Sequence, residues 1–302
     1  MTAPGRTSIS IPSLTPGWNL HTWSYIPKGS PGPHPVIVMA NGLGCNKLLG
    51  LAAYAEEFTA AGYACLVFDY RRWGSSDGTR RNSVYVAEQQ EDYRTVIKYA
   101  RQQPQFDPQR VIAWGFSFSG GHVLTLAGDP ALNLVASISN NAYCGRSFPP
   151  FQFNRWYITS FILGLLDLIA DFLHLPPVYI PVVAPPGTMC ALPVPGAPAG
   201  FASVTEKPKD FPNQIAASIF FRSPLHHRPQ DTLHLIRRPI LLIAAKRDYI
   251  CPAARIVETS RAVATAKLVE VPGDHFDIFR GSANWEEAIR TQLAFLRKYA
   301  PI

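Results

Sequence analysis

The chain is poor in charge. Asp, Glu, Lys and Arg make up 16% of its 302 residues, compared with roughly 25% in an average soluble protein. The 28 basic residues outnumber the 21 acidic ones and give a net charge of +7, but they are scattered singly or in pairs such as Arg71 with Arg72. Without a basic run or stripe, we expect no nucleic-acid partner. The hydrophobic content of 47% supplies ample core and excludes global disorder.

Paired cysteines and a leader segment are lacking as well. The five cysteines are an odd number and contain no C-x-x-C pair, which argues against a disulfide framework and against a structural zinc site. Within residues 1–14 no basic segment precedes an apolar run. We therefore expect no signal peptide and a reducing, cytoplasmic location.

Short β-branched runs alternate with amphipathic stretches along most of the chain. This pattern predicts an α/β fold in which a mostly parallel central sheet carries helices on both faces. An antiparallel edge is expected from two further strands that precede the first helix, 7–11 and 18–26. The central strands are predicted at 35–40, 64–69, 110–114, 134–139, 239–244 and 266–271, and the helices at 48–61, 83–102, 120–126, 253–263 and 285–299.

The alternation stops after Ser139 and resumes at Pro239. We divide the chain into a core, residues 1–143 and 236–302, and an inserted cap, residues 144–235. The cap begins with an apolar stretch, 156–175, in which polar residues fall on one narrow helical stripe. Such a helix suits a cap that packs over a pocket, with contact to a membrane surface as the alternative. Eight of the 28 prolines follow between Pro176 and Pro198 and predict an extended, ordered loop.

A candidate nucleophile lies directly after the strand 110–114, in the segment Gly115-Phe116-Ser117-Phe118-Ser119. A nucleophile elbow places its serine in a strained turn between strand and helix, so the residues two positions before and after must be small. Gly115 and Ser119 meet that requirement. Ser117 is the predicted nucleophile and Ser119 the alternative, since Ser117 is centred between the small neighbours.

A serine hydroxyl needs a base that a carboxylate orients. Asp248 follows the strand 239–244, and His275 follows the strand 266–271. Both lie at carboxyl ends of strands, where α/β sheets place their sites, and the order Ser, Asp, His is that of α/β-hydrolases. Such a triad requires no metal or organic cofactor, and we expect none.

Other residues compete for these roles. Asp274 and Asp277 adjoin His275 and would have to fold back to reach it, so Asp274 is interpreted as a loop-capping residue. His122, in the first turn of the helix after Ser117, is expected to point away from the nucleophile. His226 and His227, in the insertion, are expected to be solvated surface residues.

The oxyanion of acyl transfer needs two N–H donors. The amide of Phe118, after the nucleophile, is the first candidate. The amide of Leu43 is the second, because Asn41-Gly42-Leu43-Gly44 follows the strand 35–40 and is similar to an HGxG loop with Asn in place of His. The aromatic residues near the predicted site are interpreted as pocket walls or, alternatively, as ordinary core. They are Tyr143, Phe161, Tyr249 and Phe276.

With these residues in place, the chain resembles the α/β-hydrolases. The segment from Asp69 to Gly78 is similar to the D-x-R-G-x-G-x-S-x-G motif of many members, although Arg72 stands where Gly is usual. More narrowly, the motifs SFSGGH, NGLGCNK and PPVYIPVVAPPG resemble a subgroup of fungal polyketide transferases and thiohydrolases of secondary metabolism. The resemblance implies an α/β-hydrolase fold with an inserted cap.

It also implies an enzyme that takes an acyl group from an ester or thioester onto Ser117 and passes it to water or to another nucleophile. The substrate implied is a hydrophobic acyl group of polyketide type, presented by a carrier protein or a synthase. Two alternatives stay open: carbon–carbon bond formation or lyase chemistry on the same scaffold, and a non-catalytic binder of a hydrophobic ligand. The oligomeric state is open too, and includes a homodimer.

Overall fold

A computed structural model describes residues 5–29, 31–145 and 155–302. Strands and helices alternate through most of them, at the positions that the sequence predicts. The strands are β1 (Arg6–Pro12), β2 (Asn19–Tyr25), β3 (His34–Ala40), β4 (Ala64–Phe68), β5 (Phe106–Phe116), β6 (Ala136–Asn140), β7 (Tyr179–Ile180), β8 (Ile215–Ala216), β9 (Ile240–Ala245) and β10 (Ala266–Val271). The helices are α1 (Leu51–Ala60), α2 (Val86–Gln102), α3 (Phe118–Ala127), α4 (Arg155–Phe172), α5 (Ala197–Ser203), α6 (Ile219–His226), α7 (Ala253–Ala262) and α8 (Trp285–Tyr299).

Eight of these strands form one sheet in the order β1-β2-β4-β3-β5-β6-β9-β10. β1 pairs antiparallel with β2, and β2 with β4, whereas every pairing from β4 to β10 is parallel. The antiparallel edge and the parallel centre are both as predicted. β3, β4, β6 and β9 are buried along their whole length, because a central parallel strand is covered on both faces.

Strand β5 shows how helices cover both faces of the sheet. Trp114 turns to one face, where its ring lies 5.1 Å from that of Tyr54 in α1 and its indole N–H donates to Gln292 in α8 at 2.7 Å. Gly115 turns to the other face, where α3 passes so closely that a Cβ on this glycine would lie 2.3 Å from the carbonyl oxygen of Ser119. Alternate residues of one strand thus hold helices on opposite sides.

The segment that the sequence assigns to an insertion follows β6 and precedes β9. It contains α4, the two-stranded pair β7 and β8, α5, α6 and a 3-10 helix at Pro229–Leu235. The proline-rich stretch carries little regular structure, because proline lacks the N–H that strands and helices use. Part of the stretch packs on the core: Val182 is fully buried, and a Cβ on Gly44 would lie 2.6 Å from its Cγ1.

Helix α4 forms where predicted, but its apolar side faces outward and does not cover a pocket. The polar stripe points inward: the Asp167 side chain is fully buried and accepts from the amides of Val178 and Ser218, both at 3.0 Å. The apolar side of α4 is exposed. The expectation of an inward apolar face is therefore wrong. Among the described helices, none has the length and apolarity needed to cross a bilayer.

Ion pairs explain this orientation. Arg80 in the core bonds to Asp167 at 2.7 Å and lies 2.9 Å from Asp171. Asp171 also accepts from the hydroxyl of Tyr85 at 2.7 Å and pairs with Arg222 in α6. Two carboxylates on one helix stripe thus meet two guanidinium groups, and a buried carboxylate is stable only with such partners. The apolar side chains of α4 are left on the outside.

Candidate active site

Ser117 forms the turn between β5 and α3. Its backbone has φ 58° and ψ −118°, a conformation that non-glycine residues rarely adopt and that is often found at functional sites. The turn is held by the Ser117 amide, which donates to the Asn140 carbonyl at 2.8 Å, and by the Ser117 carbonyl, which accepts from Tyr143 at 2.9 Å. The close approach of α3 to Gly115 explains why the sequence is small at that position. The geometry is that of a strained strand-to-helix turn that presents a serine.

Ser119, the alternative nucleophile, is engaged elsewhere. Its side chain is fully buried, and its hydroxyl donates to the carbonyl oxygen of Asn41 in the loop after β3. The hydroxyl of Tyr70 lies 2.5 Å from the Ser119 Oγ and must be the donor, because the single proton of Ser119 is already used. Ser119 therefore joins the nucleophile helix to the Asn41 loop, and its oxygen is not free to attack a substrate.

Asp248 and His275 meet as a buried pair. The Nδ1 of His275 donates to Oδ2 of Asp248 at 2.6 Å, and the two side chains are 2% and 0% exposed. The other carboxylate oxygen of Asp248 accepts from the amides of Ile250 at 2.8 Å and Cys251 at 2.7 Å. These donors stabilise the charged carboxylate. With its Nδ1 proton committed, neutral His275 carries its lone pair on Nε2, the tautomer that a general base needs.

Asn141, which the sequence reasoning did not single out, fixes the loop of His275. Its side-chain amide donates to the His275 carbonyl at 2.7 Å, and its side-chain oxygen accepts from the amide of Ala245 at the end of β9. One side chain therefore joins the ends of β6 and β9 to the histidine loop. The signal available in the sequence was a polar pair, Asn140 and Asn141, directly after a buried strand.

Two residues, Cys251 and Phe116, link Ser117 to the pair formed by Asp248 and His275. The Ser117 hydroxyl lies 3.9 Å from the sulfur of Cys251, whose amide bonds to Asp248. The ring of Phe116, the residue before the nucleophile, lies 4.7 Å from the imidazole of His275. Within the described residues, no direct hydrogen bond joins Ser117 to His275; such bonds often tighten only with substrate bound. Burial and the charge of Asp248 raise the pKa of the Cys251 thiol well above its usual value, so the neutral thiol predominates.

The two candidate oxyanion donors flank Ser117. The Phe118 amide opens α3, where N–H groups lack intrahelical acceptors, and neither it nor the Leu43 amide meets an acceptor among the residues the structure describes. Gly42 touches the nucleophile: a Cβ there would lie 2.8 Å from the Cβ of Ser117. The Asn41 side chain holds this loop by donating to the carbonyls of residues 46 and 49 and accepting from the Gly42 amide at 2.9 Å.

Two histidines form a buried stack behind the nucleophile helix. The rings of His122 and His227 lie 4.3 Å apart, and both residues are fully buried. His227 belongs to the insertion and its Nε2 donates to the Phe118 carbonyl at 2.9 Å, so the expectation of a solvated His227 is wrong. Burial lowers the pKa of His227 to about 4 and lowers that of His122 well below its usual value. Both rings are neutral at pH 7, and His227 ties the insertion to the residue after the nucleophile.

The four aromatic residues proposed as pocket walls lie in different places. Phe276 is buried, with its ring 5.1 Å from His275, and the ring of Tyr143 lies 5.6 Å from that of Phe118. Phe161 and Tyr249 are 57% and 60% exposed, so they belong to the surface as the structure stands. Only the first two therefore lie against residues of the site.

Two surface cavities lie at other places. One, of about 430 Å³, is lined by Cys144, Arg255 and residues of α7, and the other, of about 490 Å³, by Arg72, Arg80 and residues of α4. In the part of the chain that the structure describes, no group of three or more His, Cys, Asp or Glu side chains is arranged to hold a metal ion.

Arg72, the departure from the D-x-R-G motif, has φ 74°, the left-handed conformation that favours glycine. Its guanidinium donates twice to Glu88, both at 2.8 Å, and lies over the rings of Trp18 and Tyr85. A bidentate ion pair between two rings offsets the backbone strain at this position.

Comparison with known proteins gives both sequence relatives and structural neighbours. A family profile described as X-Pro dipeptidyl-peptidase (S15 family) matches residues 16–144. The chain is 33% identical to the quorum-quenching protein AidA of Acinetobacter baumannii over 270 residues, 89% of this chain and 88% of AidA. It is 27% identical to the polyketide transferase af380 of Aspergillus fumigatus over 313 residues, 97% of this chain and 98% of that protein.

Among solved structures, the alpha/beta hydrolase GrgF from Penicillium sp. sh18 matches with a TM-score of 0.82 at 21% identity, over 98% of this chain and 99% of GrgF. At this identity the likeness concerns the fold. The fold class that the motifs predicted is confirmed.

Proposed function

Because the chain belongs to the α/β-hydrolases and to the same family as AidA, we propose that it is an acyl-transfer enzyme in which Ser117 attacks an ester or thioester carbonyl. The observation that carries the proposal is the buried 2.6 Å bond between His275 and Asp248, close to a serine in a strained strand-to-helix turn. Among the residues that the structure describes, this imidazole is the one ion-pair partner of the buried Asp248 carboxylate, and an imidazole held in this way can act as a base.

The reaction follows from these positions. Nε2 of His275 takes the hydroxyl proton as the Ser117 oxygen bonds to the acyl carbon, and the Asp248 carboxylate stabilises the imidazolium that forms. The amides of Leu43 and Phe118 donate to the oxyanion. When the tetrahedral intermediate collapses, the bond to the leaving alcohol or thiol breaks and His275 returns the proton to it. Water or a second nucleophile then attacks the acyl-serine through the same base, which regenerates the Ser117 hydroxyl.

We propose a hydrophobic acyl chain of polyketide type as the group transferred. The relative af380 is named a polyketide transferase, and the insertion brings apolar side chains against the residues of the site. Phe201 meets Phe276 edge to face with ring centroids 5.1 Å apart, and Val182 packs on Gly44 of the oxyanion loop. Residues 144–235 would then form the cap that selects the chain, and a carrier protein or synthase would present it as a thioester.

Labelling with a fluorophosphonate tests the nucleophile. The wild type should be labelled at Ser117, Ser117→Ala should not be labelled, and the matched control Ser119→Ala should still be labelled, because Ser119 anchors the loop and does not attack. Labelling of Ser117→Ala at the wild-type rate, or no labelling of the wild type, would overturn the assignment.

A panel of acyl thioesters tests the chemistry. We expect intact-protein mass spectrometry to show the mass of the acyl group on the wild type and none on Ser117→Ala. Release as free acid, as an ester or amide, or as a carbon–carbon condensed product identifies the acceptor. An active protein that never carries the acyl mass, even after acid quenching at short times, would contradict an acyl-enzyme.

A further inference from the structure

The outer side of α4 is a continuous apolar surface. Its members recur at spacings of three and four residues, so they share one face of the helix. Each is between 45% and 83% exposed. We call them the α4 face: Ile158, Phe161, Ile162, Leu165, Leu166, Ile169, Phe172 and, directly after the helix, Leu173. Leu225 of the neighbouring α6 is also exposed, at 58%.

The α4 face cannot turn inward without breaking the ion pairs beneath it. Asp167 is fully buried under α4, and both it and Asp171 are held by arginines of other elements. Gly164 also fits tightly, since a Cβ there would lie 2.6 Å from the ring of Phe221. Rotation would leave two carboxylates without partners, which is strongly unfavourable. The exposed face is therefore a fixed surface of the folded chain.

The area of the face matches what a protein interface needs. A large apolar residue exposes about 200 Å² when fully accessible, so side chains about half exposed leave on the order of 800 Å² of surface. Stable interfaces bury about 800 Å² per partner, whereas contiguous apolar patches on monomers seldom exceed a few hundred Å². The α4 face alone is large enough to be one half of a dimer interface.

The charge around the face favours a protein over a lipid surface. Helices that lie on anionic membranes carry Lys and Arg beside their apolar side. Helix α4 carries only one basic residue, Arg155 at its first position, and its other two charged side chains, Asp167 and Asp171, are acidic. Depletion of charge is instead typical of the centre of an interface between like subunits.

We propose that a second copy of this chain covers the α4 face, so that two α4 helices pack across a two-fold axis. An apolar face without charge can meet its own copy without repulsion, and a two-fold contact uses the same patch on both subunits. The contact also reaches the candidate site: α4 packs on α6 through Phe161 and Phe221, and His227, directly after α6, bonds to the Phe118 carbonyl.

Sedimentation equilibrium tests the proposal. The wild type should have twice the chain mass of 33.3 kDa, and the variant Ile162→Glu/Leu165→Glu/Ile169→Glu should have half the wild-type value. The control Leu14→Glu, at an exposed apolar residue outside the insertion, should remain a dimer. Circular dichroism and fluorophosphonate labelling check that the triple variant is folded. A monomeric wild type at every concentration, or a triple variant that stays dimeric, would overturn the proposal.

Cross-linking and vesicle flotation distinguish a second copy of the chain from a lipid surface as the partner of the α4 face. Under mild oxidation, at least one of Leu165→Cys, Leu166→Cys and Ile169→Cys should form a disulfide-linked dimer, and Leu14→Cys should not. Flotation with phosphatidylcholine–phosphatidylglycerol vesicles should leave the wild type unbound. Binding of a monomer to vesicles would replace the second copy with a lipid surface.

Discussion

The stack of His122 and His227 predicts an acid-sensitive fold. Both imidazoles are fully buried, 4.3 Å apart, and each has a buried Nδ1 without a hydrogen-bond partner among the described residues. Protonation would place a positive charge in an apolar site that holds a second imidazole and offers no anion to either Nδ1. The folded chain therefore binds these protons more weakly than the unfolded chain does.

The size of the effect follows from the pKa of His227, which is about 4 in the folded chain and about 6.5 in the unfolded one. Stability from this group is fully present above pH 6.5 and is lost as the pH falls towards 4, because the unfolded state takes up the proton first. The difference in pKa corresponds to about 3 kcal/mol in total, of which about 2 kcal/mol is lost by about pH 5.

Urea unfolding between pH 8 and pH 4.5 measures this loss. His227→Gln keeps a donor for the Phe118 carbonyl but cannot be protonated, so the free energy of unfolding should fall less steeply with pH than in the wild type. His226→Gln, at the exposed neighbour, is the matched control and should follow the wild type. Carboxylates protonate in the same range, so the comparison concerns the difference between variants. Parallel curves for His227→Gln and the wild type would refute a neutral buried His227.

Two further predictions concern single contacts. Gly42→Ala places a Cβ against Ser117 and pushes the oxyanion loop away. The kcat on an accepted thioester should therefore fall about 100-fold. An unchanged kcat would show that this loop does not contribute to the oxyanion hole. Lys47→Met removes the partner of the buried Asp69 carboxylate and should lower the free energy of unfolding by about 3 kcal/mol. In urea titrations Lys47→Met/Asp69→Asn should recover most of that loss, and failure to recover would show that the charge of Asp69 is not its cause.

The sequence predicts the core well because its signals are local. The strand at residues 266–271 and the helix at residues 285–299 were placed to the residue, since β-branched runs and helical periodicity determine them directly. The direction of α4 could not be read in this way. Its periodicity shows that a polar stripe exists, but the stripe is drawn inward by Arg80 and Arg222, which are remote in sequence.

In the candidate site, too, some residues are predictable from local sequence and others depend on remote partners. Ser117, Asp248 and His275 follow strands whose ends the sequence reveals, so their position at the carboxyl edge of the sheet is predictable, while their roles in catalysis stay predictions. Asn141 and His227 act through partners more than 100 residues away. A histidine in a polar segment looks like a surface residue until the apolar pocket that α3 provides for it is known.

Three glycines lie where the insertion contacts the core, and they limit how the insertion can be exchanged between related proteins. Gly44 leaves space for Val182 of the insertion, Gly121 for His227, and Gly200 of the insertion for Phe276 of the core. Each glycine fits a particular side chain on the other side. A chimaera that exchanged the insertion alone would bring new side chains to these three positions, and any mismatch would displace the oxyanion loop, the nucleophile helix or the histidine loop. A functional transplant of the insertion should therefore carry residues 44, 121 and 276 with it.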